Sequence, residues 1–285
     1  MKISEIFNTS DRAILSFEVF PPKQWDKIEG TKAVVKEMVK SHPAFMSVTY
    51  GAAGTTSGFT TEIAREILDD GVTPLAHLTC LTSTRDKIHQ VVAELQENGI
   101  ENILALRGDR VEGVEPQKDF TYASDLCRYI ASQGDFDIAG ACYPEVHSEA
   151  NDEVEDIHNL RKKVESGASH LISQLFFDNS VYYRFLERAK IAGVNVPIEA
   201  GIMPVTSKSQ IERMVSMCGA SLPAKFAKIM QKYDTRPEAL RDAGIAYAVD
   251  QIVDLIAHGV DGIHLYTMNN PYVARKITEA VSSLL

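Results

Sequence analysis

A glutamate lies within an apolar run near the start of the chain, where a carboxylate could donate a proton. Alternation along this run puts Leu15, Phe17 and Val19 on one face of a predicted strand. Ser16 and Glu18 share the opposite face, which points inward if the sheet closes into a barrel. Poor solvation there disfavours the charged form and raises the pKa of Glu18, which makes it a candidate acid near neutral pH. The alternative is a structural ion pair with a buried arginine or lysine.

A second candidate group follows another apolar run and consists of Arg107, Gly108 and Asp109. The glycine would let a ligand approach the backbone closely, and the two charged side chains could bind it. A turn with a local arginine–aspartate pair is the alternative. Polar residues also end the other apolar runs, and these are Thr49, Tyr50, His77, Thr79, Tyr143, Gln174, Tyr266 and Asn269.

Three common site types do not occur in the sequence. The segment 51–54 (GAAG) has the wrong spacing for a dinucleotide-binding GxGxxG motif, and there is no GxxxxGK[ST] phosphate loop. There is also no HxH or HExxH pair, and the dispersed His77, His147 and His264 are more typical of hydrogen-bonding residues than of metal ligands.

One predicted helix carries a polar face that permits two interpretations. Asp156, Asn159 and Lys163 recur at spacings of three and four residues, with Arg161 and Lys162 beside them. Such a face is usually solvated. It could also hold the ribose and phosphates of a nucleotide-type cofactor.

The elements that would position these residues alternate along the whole chain. Eight β-rich runs occupy residues 13–20, 44–50, 73–78, 102–106, 136–143, 170–176, 196–202 and 262–267. Helical periodicity follows each of them, in 27–40, 61–69, 86–96, 122–132, 153–165, 181–192, 209–217 and 271–284. This order predicts a single-domain (β/α)8 TIM barrel over 1–285, with extra helices in the seventh unit around 219–258. An open, doubly wound sheet is the alternative.

Composition limits the class of protein. The net charge of −10 argues against binding of nucleic acid, and the four cysteines form no CxxC motif and are expected to be reduced thiols of the core. Neither a signal peptide nor an apolar stretch of transmembrane length is recognisable, so we expect a soluble, cytoplasmic protein without membrane contact. Whether the chain forms a homo-oligomer stays open.

Eight segments at the predicted strand ends carry a family resemblance. They are FEVFPP (17–22), SVTYGA (47–52), AHLTC (76–80), ALRGD (105–109), YASDL (122–126), YPEVH (143–147), SQLFFD (173–178) and HLYTMN (264–269). In this order they resemble the methylenetetrahydrofolate reductases over essentially the whole chain.

The resemblance implies a barrel that binds a flavin, usually FAD and less often FMN. NADH or NADPH would reduce the flavin, and 5,10-methylenetetrahydrofolate would then bind in its place and be reduced to 5-methyltetrahydrofolate. The implied cofactor contacts are Thr49, Tyr50, Ala52, His77, Arg107, Gly108, Asp109, Tyr122, Ala123, Tyr143, His147, Asp156, Asn159, Lys162 and Lys163. Glu18 would be the general acid and Asp109 the acidic neighbour of flavin and pterin. Gln174, Gln210 and Tyr266 would contact the substrate together with them.

Two positions depart from the family pattern. Met214 replaces a phenylalanine that stacks on nicotinamide or folate, and Asn270 replaces an arginine expected to meet the glutamate tail of folate. The chain also ends with the barrel, so feedback control through a C-terminal regulatory domain is not expected. Two other functions stay open: a pterin-binding methyltransferase barrel, and a folate-binding partner subunit without catalysis.

Overall fold

Eight parallel strands form a closed barrel in the computed structural model, which describes residues 1–51, 57–110 and 113–285. The strands are β1 (Ile14–Val19), β2 (Phe45–Val48), β3 (Thr73–Thr79), β4 (Asn102–Leu106), β5 (Asp137–Cys142), β6 (Ala168–Ser173), β7 (Ile198–Ile202) and β8 (Gly262–Tyr266). Each strand pairs with the next along the chain, and β8 closes the barrel against β1. The predicted (β/α)8 barrel is confirmed, and the open sheet is wrong.

Helices surround this barrel. They are α1 (Ile3–Thr9), α2 (Ile28–Val39), α3 (Ser57–Asp69), α4 (Arg85–Glu97), α5 (Ala123–Gln133), α6 (Glu153–Glu165), α7 (Asn179–Ile191), α8 (Lys208–Cys218), α9 (Ala224–Tyr233), α10 (Pro237–Ala257) and α11 (Pro271–Val281). A short 3₁₀ helix, Trp25–Lys27, precedes α2. The two helices α9 and α10 lie in the seventh unit, between β7 and β8.

Alternation along the strands separates two apolar layers. Phe17 and Val19 of β1 are fully buried in the outer layer, between the sheet and the helices. The inward residues Ile14, Phe45 and Leu104 fill the bottom of the barrel, at the amino ends of the strands. The carboxyl ends of the strands therefore form the mouth, where the polar residues of the sequence gather.

The structure corrects the sequence prediction at two elements, helix α1 and strand β6. Helix α1 was not predicted, because its apolar residues pack onto the distant barrel bottom and its backbone amides bond to side chains 99 and 133 positions away. Its Ile3 N donates to Asn102 Oδ1 over 2.9 Å, and Ser4 N donates to Asp137 Oδ2 over 2.6 Å. Strand β6 ends at Ser173 rather than 176, because Leu175 and Phe177 leave the sheet and pack against α8 to α10 in a second apolar cluster.

The described parts of the chain include no helix long and apolar enough to cross a membrane. All four cysteines are unpaired, and Cys80, Cys127 and Cys142 are buried. Within the same parts, no three side chains of histidine, cysteine, aspartate or glutamate are grouped as metal ligands would be.

Candidate active site

Glu18 lies at the inner surface of the barrel, near the mouth. Its neighbours across the sheet are Ser47 of β2 and Tyr266 of β8, and only 7% of its surface is exposed. Burial raises the pKa of Glu18 to about 8, so the side chain keeps its proton at neutral pH. This placement agrees with the inward orientation expected from strand alternation.

His77 of β3 is the one basic side chain found close to Glu18 among the described residues. Its Nε2 lies 3.7 Å from Glu18 Oε2. Burial lowers the pKa of His77 to about 3, so the ring is neutral and the contact is not an ion pair. Among the described residues no arginine or lysine lies within ion-pair distance of Glu18, which weakens the alternative of a structural ion pair. His77 Nε2 is itself buried without a hydrogen-bond partner within the described chain.

Tyr266 packs beside Glu18 because β7 provides a glycine next to it. A Cβ on Gly201 would lie 2.8 Å from Tyr266 Cε2 and 2.2 Å from Ser173 O, so no larger residue fits there. The Tyr266 hydroxyl donates a hydrogen bond of 2.8 Å to Ser173 O. The predicted role of Tyr266 in substrate binding remains a prediction.

A polar cluster that sequence reasoning missed lies one layer below, in the middle of the barrel. Ser16 Oγ donates to Glu199 Oε1 over 2.7 Å and lies 2.6 Å from His264 Nδ1, whose Nε2 is 3.2 Å from Ser47 Oγ. We call Ser16, Ser47, Glu199 and His264 the interior network. Burial raises the pKa of Glu199 to about 8 and lowers that of His264 to about 3, so both are uncharged at neutral pH. The sequence could have indicated this cluster, because Glu199 is a charged residue in the apolar run of β7 and alternation puts it on the same face as Gly201.

A cavity of about 370 Å³ opens beside the mouth, between the ends of β4 and β5 and helices α5 and α6. Its volume is typical of small-molecule sites. It brings together eight residues that the family resemblance assigned to the cofactor, namely Arg107, Tyr122, Ala123, Tyr143, His147, Asp156, Asn159 and Lys163. These residues come from four separate elements, as a barrel-mouth site requires.

The polar face of α6 lies against this cavity. Lys163 is half-buried. Its stem crosses β5, where a Cβ on Gly140 would lie 2.6 Å from Lys163 Cδ, and its ammonium group donates to Ala141 O. Desolvation lowers the pKa of Lys163 and raises that of Asp156, which accepts a hydrogen bond of 3.2 Å from His147 N. A half-buried lysine whose ammonium group donates to a neutral carbonyl favours an anionic ligand nearby.

Arg107 forms a paired contact with a residue that sequence reasoning missed. Its Nη1 and Nη2 donate to the two carboxylate oxygens of Glu149 over 2.8 and 2.5 Å. Arg107 holds the pKa of Glu149 at about 2, so the pair is fully charged. No local pattern could show this contact, because 42 positions separate the partners.

The remaining predicted cofactor residues do not line the cavity. Thr49, Tyr50 and His77 lie at the ends of β2 and β3, and Lys162 is exposed on α6. Gly108 adopts φ +86°, which a side chain rarely allows, and a Cβ there would lie 3.0 Å from Thr79 Cβ. Asp109 is exposed, and its charge contributes to the raised pKa of Tyr143, so it lies near the mouth. Ala52 is outside the described residues.

Two other predicted substrate residues and the two departures follow strands β6, β7 and β8. Gln174 Oε1 accepts from Leu175 N over 2.9 Å, and Gln210 Oε1 accepts from Thr206 N over 3.0 Å. Met214 is buried in the second apolar cluster. Asn270 caps α11, since its side chain accepts a hydrogen bond of 3.3 Å from Val273 N. Asn270 therefore stabilises a helix where the family pattern has a cation.

Comparison with known proteins identifies the family. The model of the family described as methylenetetrahydrofolate reductase matches residues 2–282. The chain is 36% identical over 259 residues to the 5,10-methylenetetrahydrofolate reductase of Pectobacterium carotovorum, covering 90% of this chain and 86% of that one. The chain belongs to the methylenetetrahydrofolate reductase family. The Escherichia coli reductase of the same name is 37% identical over 256 residues, with the same coverage. A relative from Arabidopsis thaliana, methylenetetrahydrofolate reductase (NADH) 1, is 34% identical, and the match covers 89% of this chain but 46% of that one.

Solved structures with little sequence identity share the fold of this reductase family member. A protein from Clostridium thermocellum, described as binding two copies of 5-methyl-5,6,7,8-tetrahydrofolic acid, superposes with a TM-score of 0.69 at 15% identity, over 99% of this chain and 98% of that one. A tryptophan synthase from M. tuberculosis gives a TM-score of 0.56 at 11% identity, over 98% and 97%. At such identities these likenesses concern the barrel fold alone.

Proposed function

We propose that this chain reduces 5,10-methylenetetrahydrofolate to 5-methyltetrahydrofolate with electrons from NADH or NADPH, passed on through a bound flavin. Membership of the family supports the reaction, and the name of the Arabidopsis relative favours NADH. The observation that carries the proposal is Glu18, a protonated acid at the barrel mouth beside a neutral histidine.

The residues of the cavity fit a flavin. Arg107 and the half-buried Lys163 would meet its phosphates, while Asp156 and Asn159 would meet its ribose. Tyr122 is exposed at the rim, where its ring could stack on an aromatic base. The extension of the cavity to the polar face of α6 favours FAD over FMN. When bound, the flavin would accept hydride from the nicotinamide cofactor and return it to the folate.

Glu18 would supply the proton that this reaction needs. Protonation of N10 of the folate breaks the bond between N10 and the bridging carbon and leaves an iminium cation at N5. The bridging carbon then accepts a hydride and becomes the methyl group. Glu18 is suited to this step because burial keeps it protonated near neutral pH and His77 does not compete for its proton. Asp109, which is exposed near the mouth, would stabilise the cation by its negative charge.

Both half-reactions can be followed by the visible spectrum of the purified protein under anaerobic conditions. A flavin band should bleach with NADH and return with methylenetetrahydrofolate. The variant Glu18→Gln should bleach normally but lose the return by about 10²- to 10⁴-fold, as for removal of a general acid. The wild-type return should slow as pH rises through about 8, because the required acid form is lost. Glu199→Gln is the matched control, since it replaces a second buried acid away from the mouth.

The alternatives give different results. A protein that binds no flavin, and gains no activity from added FAD or FMN, would point to the pterin-binding methyltransferase. A band that bleaches with NADH but does not return would leave the flavin assignment in place and refute the folate substrate. An unchanged return in Glu18→Gln would remove Glu18 from the mechanism.

A further inference from the structure

The cavity that would hold the cofactor contains an acidic side chain that none of the steps above uses. Glu149 lines it together with Arg107, Arg110, His147 and Lys163. Besides the paired contact with Arg107, Glu149 Oε2 lies 3.7 Å from Arg110 Nε. Both guanidinium groups that line the cavity, those of Arg107 and Arg110, are therefore already engaged by one carboxylate of the chain itself.

The backbone of Glu149 is fixed, whereas its carboxylate can move. Glu149 N donates to His147 Nδ1 over 3.0 Å, and His147 N is bonded in turn to Asp156. The preceding loop is constrained as well, because Val146 adopts a φ of 69°, which β-branched residues rarely occupy. The side chain of Glu149 is 38% exposed, against 18% for Arg107, so rotation into solvent costs little burial.

The geometry of the pair resembles that of a guanidinium bound to a phosphate. A carboxylate and a phosphate both present two oxygens to the same edge of the guanidinium group, so they compete for it. The pyrophosphate of FAD carries two negative charges against one on the carboxylate, which allows it to displace the carboxylate. We propose that the carboxylate of Glu149 occupies the place beside the Arg107 guanidinium group where a cofactor phosphate would bind. Glu149 must then rotate away when the cofactor binds, and this competition weakens cofactor binding. This inference rests on the proposed flavin, and it adds a residue that lowers the affinity of the protein for that flavin.

The test is a titration of the flavin-free protein with FAD. Glu149→Gln should bind FAD about two- to five-fold more tightly than wild type, the range expected for loss of a partly exposed ion-pair competitor. Glu153→Gln is the matched control, because Glu153 lies in the first turn of α6 and pairs with Arg188 outside the cavity. It removes the same charge and should change the affinity less than about two-fold.

Riboflavin separates competition for the phosphate from a general change of the cavity. It has no phosphate, so its affinity should be the same in wild type and in Glu149→Gln. In an Arg107→Gln background, the gain from Glu149→Gln should largely disappear, since the two residues then no longer interact.

The opposite results have distinct meanings. Weaker FAD binding by Glu149→Gln would show that Glu149 orients Arg107 for the cofactor, and it would overturn the inference. Equal FAD binding, or an equal gain for riboflavin, would overturn it as well. If neither wild type nor any variant binds FAD, the proposed function fails and this inference fails with it.

Discussion

The mouth and the middle of the barrel each bury a glutamate, and the two side chains differ in their surroundings. Glu199 is fully buried, and Ser16 donates to one of its oxygens. Glu18 is slightly exposed, faces the mouth, and lies 3.7 Å from a neutral histidine. Burial raises the pKa of both to about 8. A raised pKa therefore does not distinguish a catalytic acid from a structural one, whereas access to a ligand does.

The largest effect expected from this comparison concerns the size of the Glu199 side chain. Glu199→Ala should lower the free energy of unfolding by about 2–4 kcal/mol, because it leaves a cavity and removes the partner of Ser16. Glu199→Gln should cost less than about 1 kcal/mol, since an amide has the shape of the protonated acid. Urea unfolding at pH 7 measures both. Equal losses in the two variants would mean that the negative charge of Glu199 stabilises the barrel.

A second prediction uses the pH dependence of stability. The folded-state pKa of Glu199, about 8, lies above its ordinary value of 4.5, so the folded state holds a proton that the unfolded state has released. This contribution to stability is complete below pH 4.5 and is lost as pH rises through about 8. Glu199→Gln should therefore flatten the alkaline decline of the melting temperature, and so should Glu18→Gln. A decline that is unchanged in both variants would contradict the uncharged state of these acids.

Buried histidines should act in the opposite direction on the acid side. Burial lowers the pKa of His77 and His264 to about 3 and that of His170 to about 4, from an ordinary value of 6.5. Their contribution is present above pH 6.5 and is lost as pH falls towards 3 to 4. The melting temperature of Glu199→Gln should therefore still fall as pH decreases towards 3 to 4, as it does in wild type.

A smaller loss of stability than that of Glu199→Ala should come from the hydroxyl that joins the interior network. Ser16→Ala removes the donor to Glu199 and the neighbour of His264 Nδ1, and it should cost about 1–3 kcal/mol of unfolding free energy. In a Glu199→Ala background the same substitution should cost less, because the two residues interact directly. Additive costs in this double-mutant cycle would show that the hydrogen bond contributes nothing measurable.

Local patterns predicted the barrel because its strands and helices each have their own periodicity. All eight strands were found, with boundaries shifted by a few residues. The exceptions depend on distant contacts. Helix α1 has seven residues, too few to be recognised by periodicity, and the extent of β6 depends on the cluster against which its following residues pack.

The site was predictable to the extent that strand ends determine it. Alternation gave the inward direction of Glu18, and helical spacing placed Asp156, Asn159 and Lys163 together. The sequence did not show that Lys162 is exposed to solvent whereas its neighbour Lys163 lines the cavity. Glu149 was missed for a different reason, since its importance comes from a contact between two loops that are adjacent only in the closed barrel.

Helix α1 has a consequence for the order in which the chain folds during synthesis. A helix of seven residues is unstable alone, and the side chains that bind its first amides, Asn102 and Asp137, belong to β4 and β5. At about 5–20 residues per second, the ribosome adds the intervening residues in roughly 5–30 seconds. During that time α1 has no docking surface. Helix α1 can therefore pack onto the bottom of the barrel only after β4 and β5 have been synthesised.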